Sequence, residues 1–218
     1  MERIDANQLR KTIPTEEFDY TFLTSALSEY SGVRQKINRL LRDGVITRVK
    51  KGLYVFGTQY NREPVCKEAL ANLIYGPSYI SLEYALGYYG LIPERVELVT
   101  SVTPKRDKKF KTPLGYFDYK YQGLDKYSVG IEQVWADSKH PVLMASPEKA
   151  LCDYVTLRKV PQLKKENEAK DFLESDLRID RSLWNKFKID SLRKLNKVYR
   201  NKNIDRIMDA LEAEGSRS

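Results

Sequence analysis

The chain has 218 residues, 41% of them hydrophobic and 11% aromatic, with a formal net charge of +8 and two cysteines. That is enough apolar material for one large domain or two modest ones, but no apolar run approaches the roughly 18–20 residues of a membrane span. MERIDANQLRKTI at the N-terminus has no signal-like apolar region, and Cys66 and Cys152 show no CxxC or Cys/His ligand spacing. The composition points to a cytoplasmic protein with reduced, buried thiols and with no membrane, metal or cofactor requirement.

In chain order, FDYTFLTSALSEY places Phe22, Leu23, Ala26 and Leu27 on one helical face, with Asp19 as its cap. Residues 28–30 lead into a second helix over residues 31–42, with Ser31 as N-cap and Gly44 ending it. Val33, Ile37, Leu40 and Leu41 form its apolar stripe. At about 100° per residue, the opposite side carries Ser31, Gln35, Asn38, Arg39 and Arg42, flanked by Arg34 and Lys36. That side holds no acid. Residues 31–60 contain seven basic residues and a single acid, Asp43, a concentration of charge that attracts a polyanion. VITRVKKGLYVF then reads as a β-hairpin, residues 45–49 and 53–56, turning at Lys50-Lys51-Gly52.

Helix, short turn, basic helix and basic hairpin make the pattern of a winged helix-turn-helix, whose second helix enters the major groove. Gln and Asn pair bidentately with adenine edges, and Arg pairs with guanine or phosphate. This assigns double-stranded DNA as the partner, with Arg34, Gln35 and Asn38 at base edges. Arg39 and Arg42, and Arg48, Lys50 and Lys51 from the hairpin, are assigned to phosphates. A winged helix that docks a protein partner is the competing reading.

The character changes after residues 58–65, so the expected organisation is α+β: a winged helix over 1–60 and a larger mixed α/β domain over 61–218. Helices are expected at 67–75 and 78–89, broken by Gly76-Pro77, with the second carrying Ile80, Tyr84, Leu86, Tyr88 and Leu91 and ending at Gly90. Strand alternation follows from Val96, ending at Pro104. In LGYFDYKYQG it puts Phe117, Tyr119 and Tyr121 on one face, and YSVGIEQVW and HPVLMAS supply two more strands. Residues 103–113 are a basic loop, either a second phosphate contact or a solvated turn. SPEKALCDYVTLRK reads as a helix capped by Ser146, with Pro147 at its first position and Ala150, Leu151, Tyr154 and Val155 buried. In the tail, 161–218, Leu192, Leu195 and Tyr199 make one stripe and Ile204, Ile207, Met208 and Leu211 another. With Leu183, Trp184 and Phe187 they indicate a small helical bundle, fraying at EAEGSRS.

Enzyme patterns are sparse. The single histidine, His140, has no acid or cysteine partner evident in sequence and reads as structural; Walker, Rossmann and serine-elbow motifs are missing. Glu97 followed by Asp118-x-Lys120 has the spacing of restriction-type nucleases, in which two carboxylates hold a divalent metal and Lys orients the nucleophile. A chain with 31% charged residues also produces Asp-x-Lys by chance.

The run F18-D-Y-T-F-L-T-S-A-L, followed by V33-R-Q-K-I-N-R-L-L-R-D-G-V-I-T-R-V-K-K-G-L-Y-V-F, resembles the N-terminal winged helix of the AbiEi-type antitoxin family. The positions that carry the likeness are Arg39, Leu40, Gly44, Ile46, Arg48, Val49, Gly52 and Tyr54. GPSYISLEYALGYYGLIPE, the V-x-L-V-T strand and P-E-K-A-L-C-D follow in the family's order, so the resemblance covers about residues 15–160. It implies an antitoxin that binds inverted repeats at its own promoter, two copies per operator, and represses it. It also implies a nucleotidyltransferase toxin as second partner, neutralised through the C-terminal domain. The Gly-Ser…Asp-x-Asp pattern of such a toxin does not occur in this chain, which fits the antitoxin side of the pair.

Overall fold

The computed structural model describes residues 6–215, which form a mixed α+β protein built on two sheets. The first unit runs α1 (Ala6–Thr12), β1 (Glu17–Asp19), α2 (Tyr20–Ala26), α3 (Val33–Arg42), β2 (Ile46–Lys50) and β3 (Leu53–Phe56). Its strands pair antiparallel in the order β1-β3-β2. Asp19 caps α2 by accepting a hydrogen bond from the Phe22 N–H at 2.7 Å. Leu23 and Leu27 are buried, whereas Phe22 is exposed, because it sits one residue around the helix from that i,i+4 pair. Helix α3 begins later than expected: its N-cap is Gly32, not Ser31, at φ +71° and without a side-chain cap. Ile37 and Leu40 anchor it, while Val33 and Leu41 are half-buried. Gly44 (φ +69°) and Gly52 (φ +85°) supply the left-handed backbone that ends α3 and closes the hairpin.

Strand β3 of the hairpin is buried on both faces. Ile46, Tyr54 and Phe56 join Leu9, Ile13, Leu23, Leu27, Ile37 and Leu40 in the first core. Val49, Leu53 and Val55 belong to the larger core, with Leu70, Ile74 and Tyr119. The continuous apolar run Leu53–Phe56 is the sequence signature of a strand covered on both sides. Packing and hydrogen bonds thus run across the composition break at 58–65. Arg10 and Glu16 form a buried ion pair, Arg10 Nε donates to the Tyr60 carbonyl at 2.9 Å, and Glu16 accepts from the Arg62 N–H at 3.1 Å.

The second unit comprises α4 (Lys67–Ile74), β4 (Tyr79–Ile80), α5 (Leu82–Tyr88), β5 (Val99–Thr103), β6 (Lys108–Thr112), β7 (Gly115–Tyr121), α6 (Leu124–Tyr127), β8 (Ile131–Trp135) and β9 (Pro141–Ala145). Helices α7 (Pro147–Leu157), α8 (Glu166–Asp171), α9 (Ile189–Tyr199) and α10 (Lys202–Gly215) complete it. Its six-stranded mixed sheet has the order β6-β7-β5-β4-β9-β8. Two expectations are corrected. The helix expected at 78–89 opens with strand β4, which pairs with β5 and β9, and turns helical only at Leu82, itself at φ 58°. Half of the basic loop 103–113 is the edge strand β6, whose lysines discourage further pairing. On β7, Phe117 and Tyr119 are buried, and Tyr121 lies exposed at the strand's end. The tail forms helices as read from its stripes. Helix α10 extends to Gly215, past the expected onset of fraying, and residues 216–218 of EAEGSRS lie outside the described residues, as do residues 1–5 of MERIDANQLRKTI.

Helix α7 carries a buried polar network at the centre of this unit. Asp153 accepts hydrogen bonds from Tyr79 OH (2.9 Å), Ser81 Oγ (2.7 Å) and Tyr199 OH. Lys149, fully buried one turn earlier, donates to the Lys126 carbonyl at 2.7 Å and to Tyr199 OH at 2.9 Å. Burial lowers the Lys149 pKa against the pull of Asp153, and raises those of Tyr79 and Tyr199. The network ties β4, α6, α7 and α9 together, and Glu148 adds a bond from the Lys188 N–H at 2.8 Å.

Candidate nucleic-acid interface

Helix α3 is amphipathic, with Ile37 and Leu40 buried against the first core and Arg34, Gln35, Asn38 and Arg42 exposed opposite them. Each polar group has a local setting. The Gln35 carboxamide folds back over the helix start, its oxygen 2.5 Å from where a Cβ on Gly32 would stand. The Lys36 ammonium sits 4.2 Å from the Tyr30 ring centroid. Arg39 and Arg42 both reach Asp43, at 3.5 and 3.3 Å. Exposed pairs of this kind contribute little, so a phosphate could take either guanidinium from Asp43.

On the hairpin, Arg48 is exposed and its guanidinium lies 5.8 Å from the Tyr54 ring, and Lys51 is exposed at the turn. Lys50 differs from its expected outward placement. Its ammonium donates to the Ile74 carbonyl, and burial, then Lys108 and Lys105, lower its pKa. A bulge between Arg48 and Lys50 turns the side chain towards α4. Lys50 therefore joins hairpin to α/β unit, rather than extending from the tip.

The same contact brings the β5–β6 loop beside the hairpin. Lys105, Arg106 and Lys108 are exposed there, and the two lysines stand 5.4 and 5.3 Å from the Tyr75 ring. Tyr75 OH donates to the Arg106 carbonyl at 3.5 Å. Lys105 and Lys108, distant from the hairpin in sequence, form one positive surface with Lys50. No local periodicity could have shown this, because the link is a tertiary contact.

The nuclease constellation is partly assembled: Lys120 contacts Asp118, and Glu97 shares a cleft with Asp118. Glu97 precedes β5 instead of lying on a strand and pairs with Arg95 (3.0 Å) and Lys67 (3.5 Å). Asp118 is buried on β7, and Lys120 stands between it (3.4 Å) and Asp107 (3.6 Å). Glu97 and Asp118 line one cleft of about 750 Å³. Among the described residues, the group of three or more His, Cys and carboxylate donors close enough to share a cation contains neither of them.

His140 does have acid partners, contrary to the sequence reading. Nδ1 lies 2.7 Å from Asp137 Oδ2, and Nε2 lies 3.3 Å from Glu17 Oε2 on β1. Burial disfavours the imidazolium, but the Asp137 hydrogen bond and the two carboxylates outweigh it and hold the His140 pKa above its ordinary value. The fold therefore retains a proton that the unfolded chain releases near about pH 6.5. This stabilisation is full below that pH and is lost as pH rises through the raised folded value. In metal-free buffer, His140→Gln should lower Tm below about pH 6.5, with the gap closing as pH rises through the raised folded value. A gap of constant size would mean that His140 is neutral in the fold.

No protein-family model matches the chain, and no curated protein matches it at a significant level. Among the described residues, no helix is long and apolar enough to cross a membrane.

Proposed function

We propose that this chain is a cytoplasmic, sequence-specific DNA-binding transcriptional regulator whose first unit is a winged helix-turn-helix. The observation that carries the reading is the outer face of α3: Arg34, Gln35, Asn38 and Arg42 exposed together, opposite a buried Ile37–Leu40 stripe. The order α1-β1-α2-α3-β2-β3, with its three-stranded sheet, supports the winged-helix assignment. In that arrangement α3 lies in the major groove, Arg34, Gln35 and Asn38 meet base edges, and Arg39 and Arg42 meet phosphates. Arg48 and Lys51 reach the backbone from the hairpin, and Lys105, Arg106 and Lys108 extend the positive surface onto the second unit. The resemblance to AbiEi-type antitoxins narrows the proposal to an autorepressor that occupies promoter inverted repeats in two copies and neutralises a nucleotidyltransferase toxin through residues 61–218.

Salt dependence tests the placement of the basic groups. Removing a cation that neutralises one phosphate shallows the slope of log K against log salt by about one unit. Arg48→Ala and Lys51→Ala should each do this, on every sequence alike. Lys50→Ala should change the slope less, since its ammonium is held at Ile74. Unchanged slopes for both Arg48→Ala and Lys51→Ala would remove the hairpin from the interface.

A further inference from the structure

Where β1, the start of α4 and the β8–β9 turn meet, Cys66 Sγ, a carboxylate oxygen of Asp137 and a ring nitrogen of His140 lie within 4.8 Å of one another. We propose that these three side chains bind a single zinc-class transition-metal cation, with Glu17 as the outer carboxylate that orients the histidine. Thiolate, imidazole and carboxylate in one set select a borderline cation over Mg²⁺ or Ca²⁺, which take oxygen ligands.

The surroundings are arranged as a metal site requires. Asp137 Oδ1 accepts the Lys139 and His140 backbone N–H groups at 2.8 and 2.9 Å, which fixes the carboxylate with Oδ1 and Oδ2 at 2.8 and 2.7 Å from Nδ1. Glu17 is buried; its Oε2 faces His140 Nε2 at 3.3 Å and its Oε1 accepts the Cys66 N–H at 3.0 Å. One carboxylate thus holds two ligand residues, and Nε2–H···Glu17 sets the tautomer that leaves Nδ1 free to coordinate, as in carboxylate–histidine–zinc triads. Bonds of about 2.0–2.3 Å put tetrahedral ligand atoms roughly 3.3–3.5 Å apart. The Nδ1–Oδ2 pair, at 2.7 Å, therefore opens slightly to admit the cation. Three protein ligands leave a fourth position for water.

Entry of the cation displaces two protons to solvent, one from the Cys66 thiol and one from His140 Nδ1. Burial pushes the thiol up to about 12, so Cys66 is protonated without a metal. The cation would replace the Nδ1 proton that faces Asp137 and would fasten the start of α4 to the β8–β9 turn, with β1 tied in through Glu17.

The test is a Co²⁺ titration of the reduced, chelator-stripped full chain, followed by Zn²⁺ displacement. One equivalent should give a thiolate-to-cobalt charge-transfer band that Zn²⁺ abolishes, and Zn²⁺ should raise Tm with concentration. Cys66→Ser should lose the band while keeping its fold, because serine retains the capping bond that Cys66 Sγ accepts from Ala69 N–H. Cys152→Ala should keep the band. His140→Gln and Asp137→Asn should weaken Co²⁺ binding, and Glu17→Gln should preserve the spectrum while lowering affinity by about 10–100-fold. No sulfur band at saturating Co²⁺, a band that survives in Cys66→Ser, or unchanged affinity in both His140→Gln and Asp137→Asn would overturn the proposal. Circular dichroism of each variant separates loss of a ligand from loss of the fold.

Discussion

Asp153→Ala is expected to destabilise the protein by about 3–5 kcal/mol, the range for removing one partner of a buried ion pair. Its carboxylate accepts three hydroxyl donors, from Tyr79, Ser81 and Tyr199, and faces the Lys149 ammonium at 3.7 Å. Alanine would leave Lys149 buried without its counter-charge and three hydroxyls short of an acceptor. For a chain of this size the change corresponds to a fall in Tm of roughly 6–20 °C. Tyr199→Phe should cost about 1–3 kcal/mol, because it removes the bond from α9 while leaving the charges paired. Thermal or denaturant unfolding of both variants checks the order, and a near-neutral Asp153→Ala would show that the network contributes little.

Gln35→Ala and Asn38→Ala are each expected to reduce discrimination between the preferred operator and a single-base variant by about 1–3 kcal/mol, or roughly 5–150-fold. Binding to unrelated DNA should change little, since that term comes from phosphate contacts. Asn38 stands outward at mid-helix, so its loss should be felt directly. Gln35 lies over Gly32 and must swing out to read a base, which places its effect towards the lower end. Competition with specific and non-specific duplexes measures both. Equal losses on every sequence would make these residues phosphate ligands rather than readers of bases.

What was legible in the sequence follows from how local each cause is. Val33, Ile37, Leu40 and Leu41 repeat at helical spacing, so α3 and its outer face could be read directly. Gly44 and Gly52 marked two turns, and Ser146-Pro147 marked the start of α7, because each acts within one turn of chain. Helix α1 and strands β1 and β4 were missed: each is seven residues or fewer, and each is held by partners far along the chain. Residues 108–112 read as part of a basic loop because an edge strand rich in lysine has the same composition. Nothing local marks Lys149 and Asp153 as buried against each other, because an i,i+4 pair of opposite charges is equally at home on a solvated helix face. The Glu17–Cys66–Asp137–His140 cluster was invisible for the same reason, since no two of its members lie close enough in sequence to make a ligand motif beyond Asp137 and His140.

Selection of bound duplexes from a randomised pool, with the full chain and with an Arg34→Ala, Gln35→Ala, Asn38→Ala variant, tests the central claim most directly. The native protein should enrich an inverted repeat, and the variant should retain salt-sensitive binding while enriching no motif. An unselected pool with the native protein, or the same motif from the variant, would contradict the assignment of α3 as the element that reads DNA.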